Sequence, residues 1–256
     1  MQESPIELHQ FSHSHFNEKA RWALDYKNVP HVRICYLPGP HLPLIRRMTG
    51  QNQTPVLGID GRFISGSTTI LETLEQRFPA PALYPSDPDA RAEAVSLIDR
   101  FDRELGPELR RAVFDTTIDD AGYAVATFAS EKAAWKQRLY YAAFPLVRVA
   151  MTKSMNITPE TGRRSKERVD ELLDFLAGKV AATGYLVGDT FSVADLTCAA
   201  LLAPGAFVEH PDMKEPEPRP PRYSRLCAEW AAHPAMQWVL EIYRKHRPPR
   251  RGVVIA

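Results

Sequence analysis

Two serines stand where predicted helices begin, and a threonine–proline pair lies between them in the chain. Ser14 precedes the amphipathic segment 17–26, Ser67 precedes a second periodic apolar segment, and Thr54-Pro55 leads into a short apolar strand. The first turn of a helix leaves backbone N–H groups without intrahelical partners, and with a hydroxyl these groups stabilise negative charge. A thiolate beside Ser14 and a carboxylate beside Ser67 are anions that suit this chemistry.

The spacing of apolar residues predicts the elements that position these groups. Alternating residues indicate strands, residues at helical intervals indicate helices, and Asp60-Gly61 between two apolar runs indicates a hairpin. The predicted strands cover 6–11, 32–36, 56–59 and 62–64, and the predicted helices cover 17–26, 42–48 and 67–78. Because a proline at the start of a strand removes one ladder donor, the backbone of Thr54 is predicted to face a ligand.

These residues resemble the thioredoxin-like domain of cytosolic glutathione transferases. The similar segments are Ser14 to Arg21 at the first helix, Thr54 to Leu57 at the strand and Gly66 to Ile70 at the third helix. A fourth similar segment, Gly188 to Asp195, holds a serine and an aspartate in capping-box spacing before a buried helix. The resemblance spans nearly the whole chain. It implies an α/β thioredoxin-like N-terminal domain followed by an all-α C-terminal domain.

The resemblance also implies glutathione as a co-substrate and assigns roles to individual positions. Ser14 would donate a hydrogen bond to the sulfur of glutathione. The backbone of Thr54, before a cis bond to Pro55, would pair with the cysteinyl portion, as an added strand does at a sheet edge. Ser67 would hold the γ-glutamyl carboxylate with its hydroxyl and the amides of the helix start.

Three further positions are assigned to the ligand, and two of them depart from the family pattern. Gln53 and His41 are candidates for the glycyl end, where Gln53 replaces a usual lysine. Gly66 stands where an acidic or amide side chain usually meets the ligand's amino group. Each missing charged contact costs roughly 1–3 kcal/mol of binding free energy. Residue 15 is a histidine where proline is frequent.

Other interpretations of the first-helix region stay open. A serine before an amphipathic helix is commonly an N-cap, and a one-residue error in strand length would make Ser12 or His13 face the site instead of Ser14. His13 and His15 have no nearby carboxylate or thiol at ligand spacing, so no metal site is predicted. Glu18 and Lys19 are predicted to be solvated, and Arg21 to pair with a carboxylate of the helical domain.

Composition narrows the classes of function. The formal net charge is +1, so there is no electrostatic case for nucleic acid or an anionic membrane as a partner. No apolar run approaches the length that spans a bilayer, and Cys35, Cys198 and Cys227 lack CxxC spacing. The expected protein is cytoplasmic, with reduced core cysteines. The resemblance implies a homodimer.

The expected domains are residues 1–79, a linker over 80–87, a helical domain over 88–246 and a frayed tail over 247–256. Helices are predicted from Pro88, and over 133–149, 164–176, 195–207, 222–232 and 234–245, with a proline-rich loop over 211–221. A second substrate would lie between the domains. Aromatic or charged residues in that region are Arg110, Phe114, Tyr123, Phe128 and Tyr140.

The function expected from this resemblance is activation of the glutathione thiol for attack on an apolar, electrophilic small molecule. A non-catalytic binding or assembly module on the same scaffold is the alternative, as is a glutathione-dependent peroxidase or thioether-cleaving relative. Ser14 argues against disulfide exchange, because a hydroxyl cannot form a mixed disulfide. Gly66 and Gln53 favour the non-catalytic alternative.

Overall fold

The computed structural model describes residues 5–255 and confirms an α/β thioredoxin-like domain followed by an all-α domain. The first domain carries a mixed sheet with strand order β4-β3-β1-β2-β5, in which β1 and β2 are parallel and β3 and β4 are antiparallel to their neighbours. Its elements are β1 (Glu7–Phe11), α1 (His15–Tyr26), β2 (Val32–Tyr36), α2 (Leu42–Thr49), β3 (Val56–Ile59), β4 (Arg62–Ser65) and α3 (Ser67–Arg77).

The fifth strand of this sheet comes from the tail of the chain. β5 (Val253–Ile255) pairs in parallel with β2, with Val32 opposite Val253. The expectation of a frayed tail from Arg247 was therefore wrong, since the Arg247 side chain is buried. The strand covers an edge of β2 that would otherwise present unpaired backbone groups. The division of the chain into 1–79, 80–87, 88–246 and 247–256 stays a prediction.

The helical domain begins at Pro88, and its first long helix is interrupted by a π-helical turn. Its elements are α4 (Pro88–Arg100), the π turn (Phe101–Leu105), α5 (Gly106–Thr117), α6 (Ala121–Ala129), α7 (Ala134–Met155), α8 (Pro159–Val180), α9 (Val193–Ala206), α10 (Pro221–Ala231) and α11 (Pro234–His246). The sequence analysis missed α6, because residues 121–129 are nearly all small or apolar and show no polar face.

Helix α9 is the centre of the core and starts with the predicted capping box. The Asp195 carboxylate accepts hydrogen bonds from the backbone N–H of Ser192 and of Leu186, both at 2.8 Å. Almost every residue of α9 is buried, and the helix packs between α1 and α11. The box therefore both starts the helix and ties the preceding loop to it.

A buried group of opposite charges joins the two domains. This interdomain charge cluster consists of Glu18, Asp25, Asp212, Arg21, Arg33 and Arg247. Glu18 lies 2.7 Å from both Arg21 and Arg247, and Arg21 also lies 3.8 Å from Asp212 of the loop before α10. Arg21 thus has the predicted partner in the helical domain. The expectation that Glu18 and Lys19 are solvated was wrong, because both are completely buried.

Gly106, the first residue of α5, allows α5 to approach α1 and α9 closely. An added Cβ would lie 2.5 Å from Phe16 Cζ and 3.1 Å from Leu201 Cδ2. Gly106→Ala is therefore expected to lower the free energy of unfolding by about 1–3 kcal/mol in urea denaturation, because the core must shift. Gly178→Ala in α8 is the matched control: its Cβ would meet nothing within 4 Å. For Gly178→Ala we expect the free energy of unfolding to rise by roughly 0.5–1 kcal/mol. Equal changes for Gly106→Ala and Gly178→Ala would contradict the close packing at Gly106.

Among residues 5–255, none of the helices combines the length and apolar character that crossing a membrane requires. The three cysteines are buried and free.

Candidate functional site

Ser14 is the N-cap residue of α1, but its side chain does not cap the helix. Its backbone is extended, with φ −153 and ψ 126, and no hydrogen bond joins its side chain to the first turn. Instead Ser14 lines a cleft between the two domains. The hydroxyl thus stands at the positive end of the α1 dipole without the partner that an N-cap usually takes.

The two residues before Ser14 have partners of their own. Ser12 donates a hydrogen bond to Glu131 at 3.1 Å, and His13 Nε2 lies 2.9 Å from Glu215 Oε1. His13 also lines the cleft, whereas the lining residues do not include Ser12. Of these three side chains, Ser14 alone combines a place on the cleft wall with the lack of an intramolecular hydrogen bond within residues 5–255.

Glu215 is a buried carboxylate at the cleft wall that the sequence analysis missed. Tyr123 donates a hydrogen bond to Oε2 of this carboxylate, and Tyr223 donates one to Oε1 at 2.8 Å. His13 contacts the same Oε1 at 2.9 Å. Burial raises the pKa of the Glu215 carboxyl, but His13 and the two hydroxyls more than offset this, so the pKa lies below its ordinary value. The carboxylate is thus held ionised and fixes the orientation of His13. A proline-rich, charged loop in the sequence carries no signal for such a contact.

His15 is a buried residue of the cleft wall and is neutral at physiological pH. Burial and the charge of Arg110 lower its pKa to about 3. Its Nε2 lies 3.1 Å from the carbonyl oxygen of Gly106, to which the neutral ring donates. His13 and His15 therefore contact different partners and do not converge on one point.

The Thr54–Pro55 peptide bond is cis, as the resemblance implies. The ladder between β1 and β3 ends at the pair His9 and Val56, so the backbone of Thr54 lies beyond the paired residues. Asn17 Nδ2 donates to Thr54 Oγ1 at 3.3 Å, which ties this segment to α1. The carbonyl of Pro55 accepts from the N–H of Gly66 at 3.3 Å and links the segment to the start of α3.

Ser67 is the first residue of α3 and is buried, while Gly66 before it is exposed. Gly66 has φ +91, a backbone conformation that favours glycine, so a larger side chain there would be strained. This backbone gives a physical reason for the departure from the family pattern at position 66. The free N–H groups of the first turn of α3 and the Ser67 hydroxyl form an anion-binding arrangement.

A buried lysine holds the start of α3 in place. Lys19 Nζ donates to Thr68 Oγ1 at 3.0 Å and pairs with Asp102 of the π turn at 2.6 Å. Thr68 in turn donates to Asp102 at 2.6 Å. These bonds join α1, which starts after Ser14, to α3, which starts at Ser67, and tie both helices to the helical domain.

His41 and Gln53 lie in the loops beside Thr54 and differ in what their side chains do. His41 Nε2 lies 3.1 Å from the carbonyl oxygen of Asn52, and its ring packs edge-on against Phe11. The buried Nδ1 of His41 has no hydrogen-bond partner within residues 5–255. Gln53 is exposed, and its side chain forms no hydrogen bond with the described residues 5–255. His41 therefore positions the loop, and Gln53 is available to a ligand.

The empty space in and above the cleft beside Ser14 is about 600 Å³, a volume that includes the open solvent at its mouth. Its walls come from the start of α1, from α5 and α6, and from the region around α10. Most of its lining side chains are apolar; the residues proposed from sequence that line it are Arg110, Phe114, Tyr123 and Phe128. Tyr140 does not line it, because that side chain packs with Phe144 in a second apolar cluster.

One group of potential metal ligands occurs in the described part of the chain. Ligand atoms of Glu18, His210 and Asp212 lie within 4.8 Å of one another. The two carboxylates belong to the interdomain charge cluster, where Arg247 contacts both at 2.6–2.7 Å. Since guanidinium groups already neutralise these oxygens, the arrangement is an ion-pair network and no cation site is proposed here.

Comparison with known families agrees with this architecture. Residues 8–82 match the family described as glutathione S-transferase, N-terminal domain, and residues 142–222 match glutathione S-transferase, C-terminal domain. Together the two matches cover more than half of the chain.

Similar curated proteins include two bacterial enzymes. A maleylpyruvate isomerase from Ralstonia sp. is 26% identical over 132 residues, covering 50% of this chain and 59% of that protein. A glutathione S-transferase from Pseudomonas putida is 28% identical over 128 residues, covering 50% and 56%. The chain thus aligns with less than two thirds of the length of these relatives.

Similar solved structures cover nearly the whole chain at low identity. A glutathione S-transferase from Rhodospirillum rubrum F11 gives a TM-score of 0.60 at 21% identity, covering 96% of each chain. One from Methylobacillus flagellatus with glutathione bound gives 0.61 at 15% identity, covering 95% of this chain and 99% of that one. These likenesses concern the fold. With both domain matches and the two-domain architecture in place, the chain belongs to the glutathione S-transferase family.

Proposed function

We propose that this protein binds glutathione and activates its thiol for attack on an electrophilic small molecule. The observation that carries the proposal is the Ser14 hydroxyl, which stands at the start of α1 and lines an apolar cleft instead of capping its helix. A hydroxyl and a helix N-terminus both stabilise a thiolate relative to a thiol, whose ordinary pKa is near 8.5. The cleft beside it would hold the electrophile.

The remaining residues would bind the rest of the tripeptide. The backbone of Thr54, free of the sheet ladder, would pair with the cysteinyl portion, and Ser67 with the start of α3 would bind the γ-glutamyl carboxylate. Gln53 would meet the glycyl end, and His41 would hold the loop that carries Gln53. We further propose a cytoplasmic homodimer, which rests on family membership.

The chemistry needs only the thiolate and an electron-poor carbon. The sulfur lone pair forms a C–S bond, and in a displacement the leaving group departs with its bonding electrons. In an addition to an activated double bond, the electron pair moves to the neighbouring carbon, which takes up the proton that the thiol lost. If that carbon is not protonated, rotation about the new single bond and return of its electron pair, which re-forms the double bond and expels the thiolate, would isomerise the substrate. The maleylpyruvate isomerase among the relatives makes this variant a second candidate.

A calorimetric titration with glutathione tests the binding site. Ser67→Ala is expected to raise the dissociation constant by roughly five- to a hundredfold, equivalent to about 1–3 kcal/mol, because it removes one hydrogen bond to a charged group. Ser86→Ala, an exposed serine in the segment before α4, is the matched control and should leave the dissociation constant unchanged.

Failure of the wild-type protein to bind glutathione at high millimolar concentration would contradict the proposal. The missing charged contacts at Gly66 and Gln53 would then favour the non-catalytic binding or assembly module. Binding without turnover of any electrophile would favour the same alternative. Reduction of a peroxide or cleavage of a thioether by the glutathione complex would favour the peroxidase or thioether-cleaving alternative.

A further inference from the structure

Arg110 places a positive charge in the wall of the cleft, and no residue between 5 and 255 pairs with it. It lies on α5, is half-buried and lines the same cleft as Ser14. Within residues 5–255 its guanidinium group forms neither a hydrogen bond nor an ion pair, and it lies 5.8 Å from the centre of the Phe16 ring. The next residue, Arg111, shows the usual arrangement, since it pairs with Glu108 at 2.6 Å.

The surroundings of Arg110 destabilise its charged form. Burial and the neighbouring charge of Arg111 lower its pKa from its ordinary value. The wall beside it consists of apolar side chains such as Leu109, Val113 and Phe114. An anion in such surroundings is less screened than one in water, so a guanidinium group binds it more strongly there. A charged group that lies unpaired in a cleft, where its burial lowers the stability of the fold, is a candidate for ligand binding.

The position of Arg110 separates it from the proposed glutathione-binding groups of the sheet domain. The cleft is not lined by Thr54, Ser67 or Gln53, which all precede the linker. Ser14 lines the cleft and is also one of the proposed glutathione-binding residues. A molecule that fills the cleft would thus have one end at Ser14, where the sulfur would stand, and would meet Arg110 and the aromatic side chains with the rest of its surface.

We propose that Arg110 binds a carboxylate of the electrophile, so that the substrates of this enzyme are electron-poor, anionic compounds with an apolar body. This inference rests on the proposed function and narrows it, because an apolar electrophile needs no cation. The planar guanidinium group offers two parallel N–H donors to a carboxylate, a geometry that an ammonium group lacks.

Benzoylacrylate and its methyl ester provide the test, because both carry the same activated double bond and only the acid carries a charge. Loss of the enone absorbance measures addition of glutathione to each compound, with the uncatalysed rate subtracted. Arg110→Met is expected to lower kcat/KM for the acid by about ten- to a hundredfold, mainly by raising KM, and to lower the acid-to-ester ratio of kcat/KM at least tenfold. The kcat/KM of Arg110→Lys for the acid is expected to lie between the values of wild type and Arg110→Met, since lysine keeps the charge but lacks the planar group.

Arg103→Met is the matched control for the removal of a positive charge. Arg103 lies on the exposed side of the π turn and pairs with Asp99. This variant should leave the acid-to-ester ratio unchanged. Equal loss of kcat/KM for acid and ester in Arg110→Met would overturn the inference and assign Arg110 a structural role.

Calorimetry separates this inference from the proposed function. If the wild-type protein does not bind glutathione, that result contradicts the proposed function itself. If glutathione binds and the ester reacts, the proposed function stands, and an unaltered acid-to-ester ratio in Arg110→Met overturns only the inference. Weaker glutathione binding in Arg110→Met, with that ratio unaltered, would assign Arg110 to a carboxylate of glutathione and would also overturn it.

Discussion

Asp212→Asn is expected to lower the free energy of unfolding by about 3–5 kcal/mol, because it removes one charge from a buried, paired group and leaves its partners uncompensated. One oxygen of Asp212 lies 2.8 Å from Arg33 and 2.6 Å from Arg247, and the other lies 2.6 Å from Arg250. The Asp212 side chain is 1% exposed, so water cannot take over these contacts.

The pH dependence of this effect has a definite sign. Burial alone would raise the pKa of Asp212, but Arg21, Arg33 and Arg247 hold it well below its ordinary range. A carboxyl whose folded-state pKa is depressed stabilises the fold above its unfolded-state pKa of about 3.9 and loses that contribution as the pH falls toward the folded-state value. In urea denaturation, the free energies of unfolding of wild type and Asp212→Asn should therefore differ by the full amount at pH 7 and by less below about pH 4.

Asp99→Asn is the control for the loss of a carboxylate outside the interdomain charge cluster. Asp99 pairs with Arg103 at the surface, where ion pairs contribute little to stability. We expect only a small change in the free energy of unfolding. An equally small change for Asp212→Asn, or a difference that does not vary with pH, would contradict the role of the cluster in holding the domains together.

Ser14→Ala is expected to lower kcat/KM for glutathione conjugation by about a hundred- to a thousandfold, comparable with the loss of one donor to a developing anion in other enzymes. Without the hydroxyl, the thiol of bound glutathione should have a higher pKa. The acidic limb of the pH profile of kcat/KM should therefore move to higher pH, and ultraviolet difference spectra should show less thiolate at neutral pH.

Variants of Ser12 and His13 test whether Ser14, and not one of these two neighbours, contacts the thiol. Ser12→Ala should change kcat/KM little, because the Ser12 hydroxyl already donates to Glu131 and is absent from the cleft wall. His13→Asn tests the other alternative, since His13 lines the cleft and contacts Glu215. A larger loss in either variant than in Ser14→Ala would assign the thiol contact to that residue.

Local patterns in the sequence were sufficient to predict β1 to β4 and α1 to α3 of the sheet domain, on which the proposed ligand groups lie, but not β5. Alternation and helical spacing predict strands and helices within a few residues, as at α1, which starts at His15 where the pattern indicated residue 17. Ser192 and Asp195 mark the start of α9 for the same reason, since a capping box depends only on residues three apart.

Features that depend on distant residues could not be predicted from those patterns. Glu18 looks like a surface residue on an amphipathic helix, and its burial depends on Arg247, which is 229 residues away in the chain. Glu215 likewise gains its role from His13 and Tyr123, which belong to other parts of the fold. The sequence indicates that Arg110 lies in the right region, but the absence of a counter-ion within residues 5–255 is visible only in three dimensions.

The pairing of β5 with β2 makes the thioredoxin-like sheet discontinuous in the chain. Because Val253–Ile255 follow the whole helical domain, a ribosome must synthesise that domain before the sheet can acquire its fifth strand. Until then β2 is an open edge, Asp25 lacks Arg247 and Arg33 lacks Asp212, so the nascent sheet domain is incomplete in both hydrogen bonding and charge. Contacts of such large sequence separation are expected to slow folding of the sheet domain.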